Sequence, residues 1–273
     1  MSLRVASLHL HPIKSLGGFS VQEAHISDRG FTHDRRWMLV DGNGLFISQR
    51  ELAAMACLHC SPLDHGFRVT DVRDGDAIYL PWAIEGEGTV ARIWNDRVTV
   101  CHAPIGISAW FVEKLGVTCS LVFMPDIMQR KVDPRYANGI TSLSDGFPYL
   151  IISQASLDDL NARMAHPLPM DRFRPNVVIA GGHAFQEDDW QEIIIGNTMP
   201  GGRQARFALV KPCGRCAITT TDQRTGERGK EPLRTLATYR RRAGTEGEVK
   251  VDFGMNAMAL GGDLVRVGDT VLA

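Results

Sequence analysis

Residues 35–50, "RRWMLVDGNGLFISQR", set two apolar runs on either side of Asp41-Gly42-Asn43-Gly44. Asn, Asp and Gly tolerate the positive φ values that tight hairpin turns demand. The same arrangement returns at 67–80, around Asp74-Gly75, and at 90–103, around Asn95-Asp96. With a further strand-like run at 4–13, a chain that turns back this often in its first hundred residues is committed to a β-sandwich or barrel. The first predicted helix, "GISAWFVEKLG" at 106–116, has an apolar stripe and Gly116 as its stop. A strand at 120–124 follows. Residues 125–147 are polar and turn-rich and read as a crossover, so a boundary is placed at their start, dividing the chain into 1–124 and 125–273.

The second half is mixed. Strands are expected over 147–153, 174–181, 189–196, 205–211 and 217–222. Helices are expected over 156–164, with Ser156 and Asp159 as a capping box, and over 231–242, with Pro232 in the first turn. Residues 262–273 read as a closing hairpin, and Glu187-Asp188-Asp189 as a solvated loop with Trp190 anchored in the core. No βαβ rhythm emerges. The expected fold class is mainly β with a few helices (α+β).

Several function classes drop out. A net charge of −1 gives no global field toward nucleic acid or an anionic membrane. No apolar run reaches the length of a membrane span, and the N-terminus is too polar for a signal peptide. Six cysteines in that setting argue against a disulfide scaffold and for a reducing, cytoplasmic compartment.

In such a compartment the pair Cys213-Gly214-Arg215-Cys216 points to metal binding or catalysis. A thioredoxin-type dithiol opens a helix, whereas the β-branched run after Cys216 predicts a strand. A four-cysteine zinc site is possible with the second pair, Cys57 and Cys60. Two buried small hydrophobes are the plain alternative. Arg215 and Lys211 favour a reactive thiolate or a nearby anion, which suits a soft metal on a phosphorylated organic cofactor. Other anion-binding groups exist. Lys14 and Ser15 end a strand before Gly17-Gly18, a plausible phosphate cradle. Arg35 and Arg36 are adjacent on a predicted strand and point opposite ways, so one turns inward. Arg172, Arg174 and Asn176 share a parity and hence a face, and Asn176 offers both donor and acceptor to a heterocycle edge. Asp145 lies in a tight turn.

The segments "HPIKS", "DRRWMLVDGNGLFISQR", "SDGFPYLIISQASLDDLN", "RFRPNVVIAGGHAFQEDDW", "CGRCAITTTDQRTGE", "EPLRTLATYR" and "VDFGMN", in this order, resemble the MOSC superfamily with its N-terminal β-barrel domain. The resemblance covers essentially the whole chain. It implies a MOSC β-barrel plus an N-terminal β-barrel-like domain, and a molybdenum cofactor (Mo-molybdopterin) as the bound group. Cys216 would be the protein ligand to molybdenum. Lys14, Ser15, Arg35, Arg174, Asn176 and Arg215 would lie against the cofactor, and Asp145 would be an acidic catalytic position near the metal. The implied activity is reduction of a small-molecule N-hydroxylated substrate. No ferredoxin-like cysteine spacing follows the last strand, so electrons are expected from a separate iron–sulfur, flavin or haem protein. A cofactor carrier or sulfur-transfer module is the alternative.

Overall fold

The computed structural model describes residues 2–197, 201–244 and 247–273. Seven strands close into a barrel. In ring order they are Tyr149–Ser153, Val177–Ala180, Arg4–Leu10, Thr270–Leu272, Glu192–Gly196, Gln204–Gly214 and Val249–Gly261, and the last pairs with the first. The contact between 149–153 and 177–180 is parallel. The first strand of the chain is thus a stave among strands from the second half. Its register against 177–180 slips between Val5 and Ser7. That bulge switches the inward parity, so Val5, Leu8 and Leu10 all reach the barrel core beside Ile151, Ile179, Ile193 and Phe207. Strand 149–153 is buried throughout because both faces are covered. Tyr149 and Ile151 face the barrel interior, while Leu150 and Ile152 pack on Leu157 and Leu160 of helix Gln154–Ala162.

The other lobe holds a four-stranded sheet, ordered Trp37–Val40, Ser120–Phe123, Asp96–His102, Gly88–Ile93, and a three-stranded sheet of Leu58–Leu63, Gly66–Asp71 and Ala77–Pro81. With helix Ile105–Leu115 they enclose Ile13, Trp37, Phe67, Phe111 and Phe123. The hairpins at 66–81 and 88–102 and the left-handed stop at Gly116 (φ 67°) follow the sequence expectation. Among the described residues no helix is long and apolar enough to cross a membrane.

Several local expectations fail for physical reasons. Helix 154–162 is capped by Ser153, whose Oγ accepts from the Ala155 N–H at 3.1 Å. Ser156 lies inside the first turn and donates to the Glu187 carboxylate at 2.8 and 2.9 Å. Glu187 is therefore not solvated. It is fully buried and also accepts from the Ser153 N–H at 3.0 Å. Removing a buried, satisfied acceptor strands its donors. Glu187→Ala is expected to lower the unfolding free energy by about 2 kcal/mol, read as a lower urea midpoint at unchanged slope.

The strand expected from Arg174 begins only at Val177, because Arg174 (φ 55°) caps a 3-10 turn over Met170–Phe173. Residues Ala217–Thr220 form a 3-10 turn rather than a strand. The Thr219 and Thr220 hydroxyls donate to the carbonyls of Cys216 and Ala217 at 3.0 and 2.8 Å, local bonds that replace a ladder. The helix expected at 231–242 shrinks to Leu233–Leu236, and Arg241–Ala243 instead pairs with the strand 249–261. The closing hairpin is two separate strands. Leu264–Arg266 pairs with Glu23–Ser27, and Thr270–Leu272 enters the barrel.

Candidate functional site

Beyond the first barrel strand the chain crosses to the other lobe. Ile13 bridges to Trp37, and the Lys14 and Gly17 N–H groups donate to the carbonyls of Trp37 and Leu58 at 2.8 and 2.9 Å. The passage is tight: a Cβ on Gly18 would sit 2.3 Å from His11 Nδ1 and from the Leu10 carbonyl oxygen, so glycine alone fits. The crossing buries Lys14, which is 4% exposed. Its Nζ is ion-paired with Asp145 and lies 5.4 and 5.8 Å from the Phe46 and Trp94 rings. Burial brings the ammonium down to about 8, with Asp145 pulling the other way.

Arg35 and Arg36 do diverge, through a left-handed backbone at Arg35 (φ 48°) ahead of the strand rather than by strand alternation. Arg36 turns out to Asp126 at 2.8 Å. Arg35 turns in, donating to Asp34 Oδ2 at 2.6 Å, Asn176 Oδ1 at 2.9 Å and the Arg174 carbonyl at 3.0 Å. Asn176 Oδ1 also accepts from the Leu150 N–H, and its Nδ2 donates to the His9 carbonyl. Its amide is therefore engaged at both ends. Arg174 is buried and donates to the Leu16 carbonyl, fastening the 11–18 crossing. Burial and Arg35 lower it to about 9, so it stays cationic at neutral pH. Arg172 does not share its face. In a 3-10 turn residues two apart point in different directions, and Arg172 donates to the Thr219 carbonyl at 3.0 Å and Asp222 at 3.3 Å. It anchors the turn behind Cys216 from outside the cleft.

Strand 204–214 ends beside this group. Arg215 donates through Nη1 to Cys213 Sγ at 3.1 Å and through Nη2 to the Phe173 carbonyl at 2.7 Å. Cys213 and Cys216 are free and half-buried. Lys211, expected near them, lies over the Tyr136 ring at 4.2 Å instead. Cys57 and Cys60 are buried in the other lobe, where burial pushes the Cys60 thiol up to about 12. Among the described residues no three His, Cys, Asp or Glu side chains are grouped to hold a metal, so a four-cysteine zinc site is not formed.

The structure brings Lys14, Ser15, Arg35, Asp145, Arg174, Asn176, Arg215 and Cys216 to one cleft at the junction of the lobes. Sequence reasoning missed Arg50, which also lines it. Arg50 donates to Asp145 Oδ2 at 2.9 Å, and its guanidinium stacks 4.5 Å from the Trp94 ring centroid. It lies past the last alternating apolar residue of its segment, beyond the reach of any parity argument. Among the described residues, Asp145 is the one carboxylate lining the cleft, against five cations. Its side chain is 54% exposed at the mouth. Burial alone would raise its pKa, but Lys14 and Arg50 outweigh that and hold it well below the usual carboxylate range. The cationic surplus, together with two buried guanidinium nitrogens that lack any acceptor, Arg50 Nη1 and Arg215 Nε, fits a polyanionic ligand with a thiolate-seeking centre.

The charge state of Lys14 gives a pH signature. The cation is present below about 8, so anion affinity is expected to be flat at lower pH and to fall as pH rises through that value. Asp145→Asn removes the group that raises Lys14, and the falling limb should move to lower pH. Calorimetric titration with inorganic sulfate, whose own charge is constant from about pH 6 to 10, reads both. A fall that begins at the same pH in the variant would contradict the pairing.

Fold and cleft together define a β-barrel protein that presents a thiol in a cation-lined pocket. Residues 138–272 match the MOSC domain, and residues 2–118 match the MOSC N-terminal beta barrel domain. The chain belongs to the MOSC family with that N-terminal domain. It is 30% identical to mouse mitochondrial amidoxime-reducing component 1, over 98% of this chain and 81% of that one. It is also 30% identical to rat mitochondrial amidoxime reducing component 2, over 86% of this chain and 72% of that one. Human molybdenum cofactor sulfurase is 29% identical over 98% of this chain, which spans about a third (32%) of the length of that relative.

Proposed function

We propose that this protein is a molybdenum-cofactor-dependent reductase of N-hydroxylated compounds such as hydroxylamines, amidoximes and N-hydroxylated base analogues. The observation that carries the reading is Cys216, half-buried in a cleft whose cations come from both lobes. The resemblance to amidoxime-reducing components supports the reaction class. Lys14, Ser15, Arg35, Arg174 and Arg215 would hold the phosphate and pterin, and Asn176 would brace Arg35 from beneath. Cys216 would be the protein's own metal ligand. When bound, the cofactor supplies two-electron redox chemistry.

The net conversion takes two electrons and two protons, breaks the N–O bond and releases water. The electrons come from a separate iron–sulfur, flavin or haem protein. Asp145, the expected acid, is held ionised by Lys14 and Arg50. At neutral pH its part is to orient those two cations rather than to give up a proton. Lys14, which burial lowers to about 8, carries an Nζ proton that can be shared near neutrality.

A second reading, a cofactor carrier or sulfur-transfer module, draws on the second thiol. Cys213, held by Arg215 at 3.1 Å, could bear a transferable sulfur, and the sulfurases are among the relatives. The two readings part on one experiment. The cofactor-loaded protein is reduced chemically and offered benzamidoxime or 6-hydroxylaminopurine. Stoichiometric formation of benzamidine or adenine supports the reductase, and a reduced protein left unoxidised supports the carrier.

A further inference from the structure

Arg50 has its planar group fixed by two neighbours. Trp94 covers one face at 4.5 Å, Asp145 takes Nη2 at 2.9 Å, and Cys216 lines the same cleft. Nη1 is buried without an acceptor. A buried guanidinium nitrogen left unpaired costs free energy, unless something entering the cleft accepts from it. Trp94 itself holds a left-handed backbone (φ 53°), a conformation that costs about 1–3 kcal/mol in a bulky residue. The ring gains from it a seat between Phe46, at 4.7 Å, and the two cations Lys14 and Arg50. Next to it Asp96 binds Arg130 Nε at 2.7 Å, and Arg130 in turn donates to the carbonyls of Ser142, Ser144 and Asp145. The tip of hairpin 88–102 therefore grips the Asp145 loop and the Arg50 side chain together.

We propose that Arg50 is a ligand-binding residue of the cleft, with Nη1 the donor to an oxygen carried by the group bound at Cys216, and that Trp94 is the positioning residue that aims it. The proposal rests on the molybdenum-cofactor reading. A planar fork is required, because one edge must serve Asp145 while the other serves the ligand. Lysine, a point donor, cannot do both. Trp94 contributes ring area and quadrupole rather than a hydrogen bond.

The test is molybdenum and pterin content per chain after purification from cells that make the cofactor. It is measured for the wild type, Arg50→Gln, Arg50→Lys, Trp94→Ala and Trp94→Phe, with Arg206→Gln as a charge control on an exposed ion pair away from the cleft. Loss of a group supporting the metal ligand costs on the order of ten- to hundredfold in affinity. Both Arg50 variants should therefore retain far less molybdenum than wild type after dialysis. Trp94→Ala should lose part, Trp94→Phe should restore most of it, and the control should match wild type. The melting temperature of each variant separates lost binding from lost folding. Equal retention by Arg50→Gln, or full rescue by Arg50→Lys, overturns the proposal. If folded Arg50→Gln is not obtained, Arg50→Lys and Trp94→Ala decide it on the same terms. A wild type that itself carries no molybdenum overturns the cofactor reading instead, so the two failures are distinguishable.

Discussion

Cys216→Ala is expected to abolish molybdenum retention and to cut reduction of N-hydroxylated compounds by at least about a thousandfold, equivalent to about 4 kcal/mol of barrier. The fold should be untouched. Cys216 sits at the rim of the barrel, half-buried, ahead of the turn Ala217–Thr220. The bonds that define that turn use its carbonyl, which accepts from the Thr219 N–H and hydroxyl at 3.1 and 3.0 Å. The sulfur has no part in them. A melting temperature within about 2 °C of wild type is therefore expected. Cys216→Ser should behave like alanine, because a hydroxyl is a hard, weakly ionised ligand where a soft one is needed. Cys213→Ala should be mild by comparison, since Cys213 packs against the Phe173–Phe253 cluster and takes only the Arg215 bond. Reversed rankings, with Cys213→Ala inactive and Cys216→Ala active, would move the metal ligand to the other thiol.

Lys14→Met should separate stability from binding. Lys14 is a buried cation with one half-exposed partner, Asp145, which keeps its second contact to Arg50. Taking a charge out of water costs more than a single pair commonly returns, and methionine fills the same space beside Phe46 and Trp94. The variant is expected to be as stable as wild type or more so. Charge-assisted bonds to an anion contribute about 1.5–3 kcal/mol each. Cofactor affinity should therefore fall on the order of ten- to hundredfold. The pH-dependent limb attributed to Lys14 should vanish in the same variant. Unfolding midpoints and cofactor dissociation rates, measured side by side, check both halves. A destabilised variant that still holds its cofactor would assign Lys14 to folding instead.

Much of the fold was legible, and the reasons differ by region. Hairpins 66–81 and 88–102 are local. Alternation and turn residues specify them without any distant partner. The barrel is not local. Its first stave, 4–10, pairs with residues some 170 positions onward, and no periodicity in a single strand names its neighbour. The failures cluster where short polar side chains satisfy the backbone. Ser153 displaced Ser156 as a cap, and Thr219 and Thr220 turned a β-branched run into a 3-10 turn. Such bonds compete with ladders on nearly equal terms.

The cleft was legible through resemblance more than through pattern. Arg174 reaches it from a left-handed cap, and Asn176 from the link between that cap and the strand, rather than from the strand face that parity suggested. Arg50 and Trp94 carried no sequence signal, because their meaning lies in a stacking contact between a turn residue and a hairpin tip 44 residues apart in the chain.

Elemental analysis of the protein purified from cells that make molybdenum cofactor, with pterin fluorescence on the same sample, bears most directly on the account. One molybdenum and one pterin per chain are expected, both lost in Cys216→Ala. A folded wild-type protein from such cells that contains neither, or that contains zinc in their place, would contradict it.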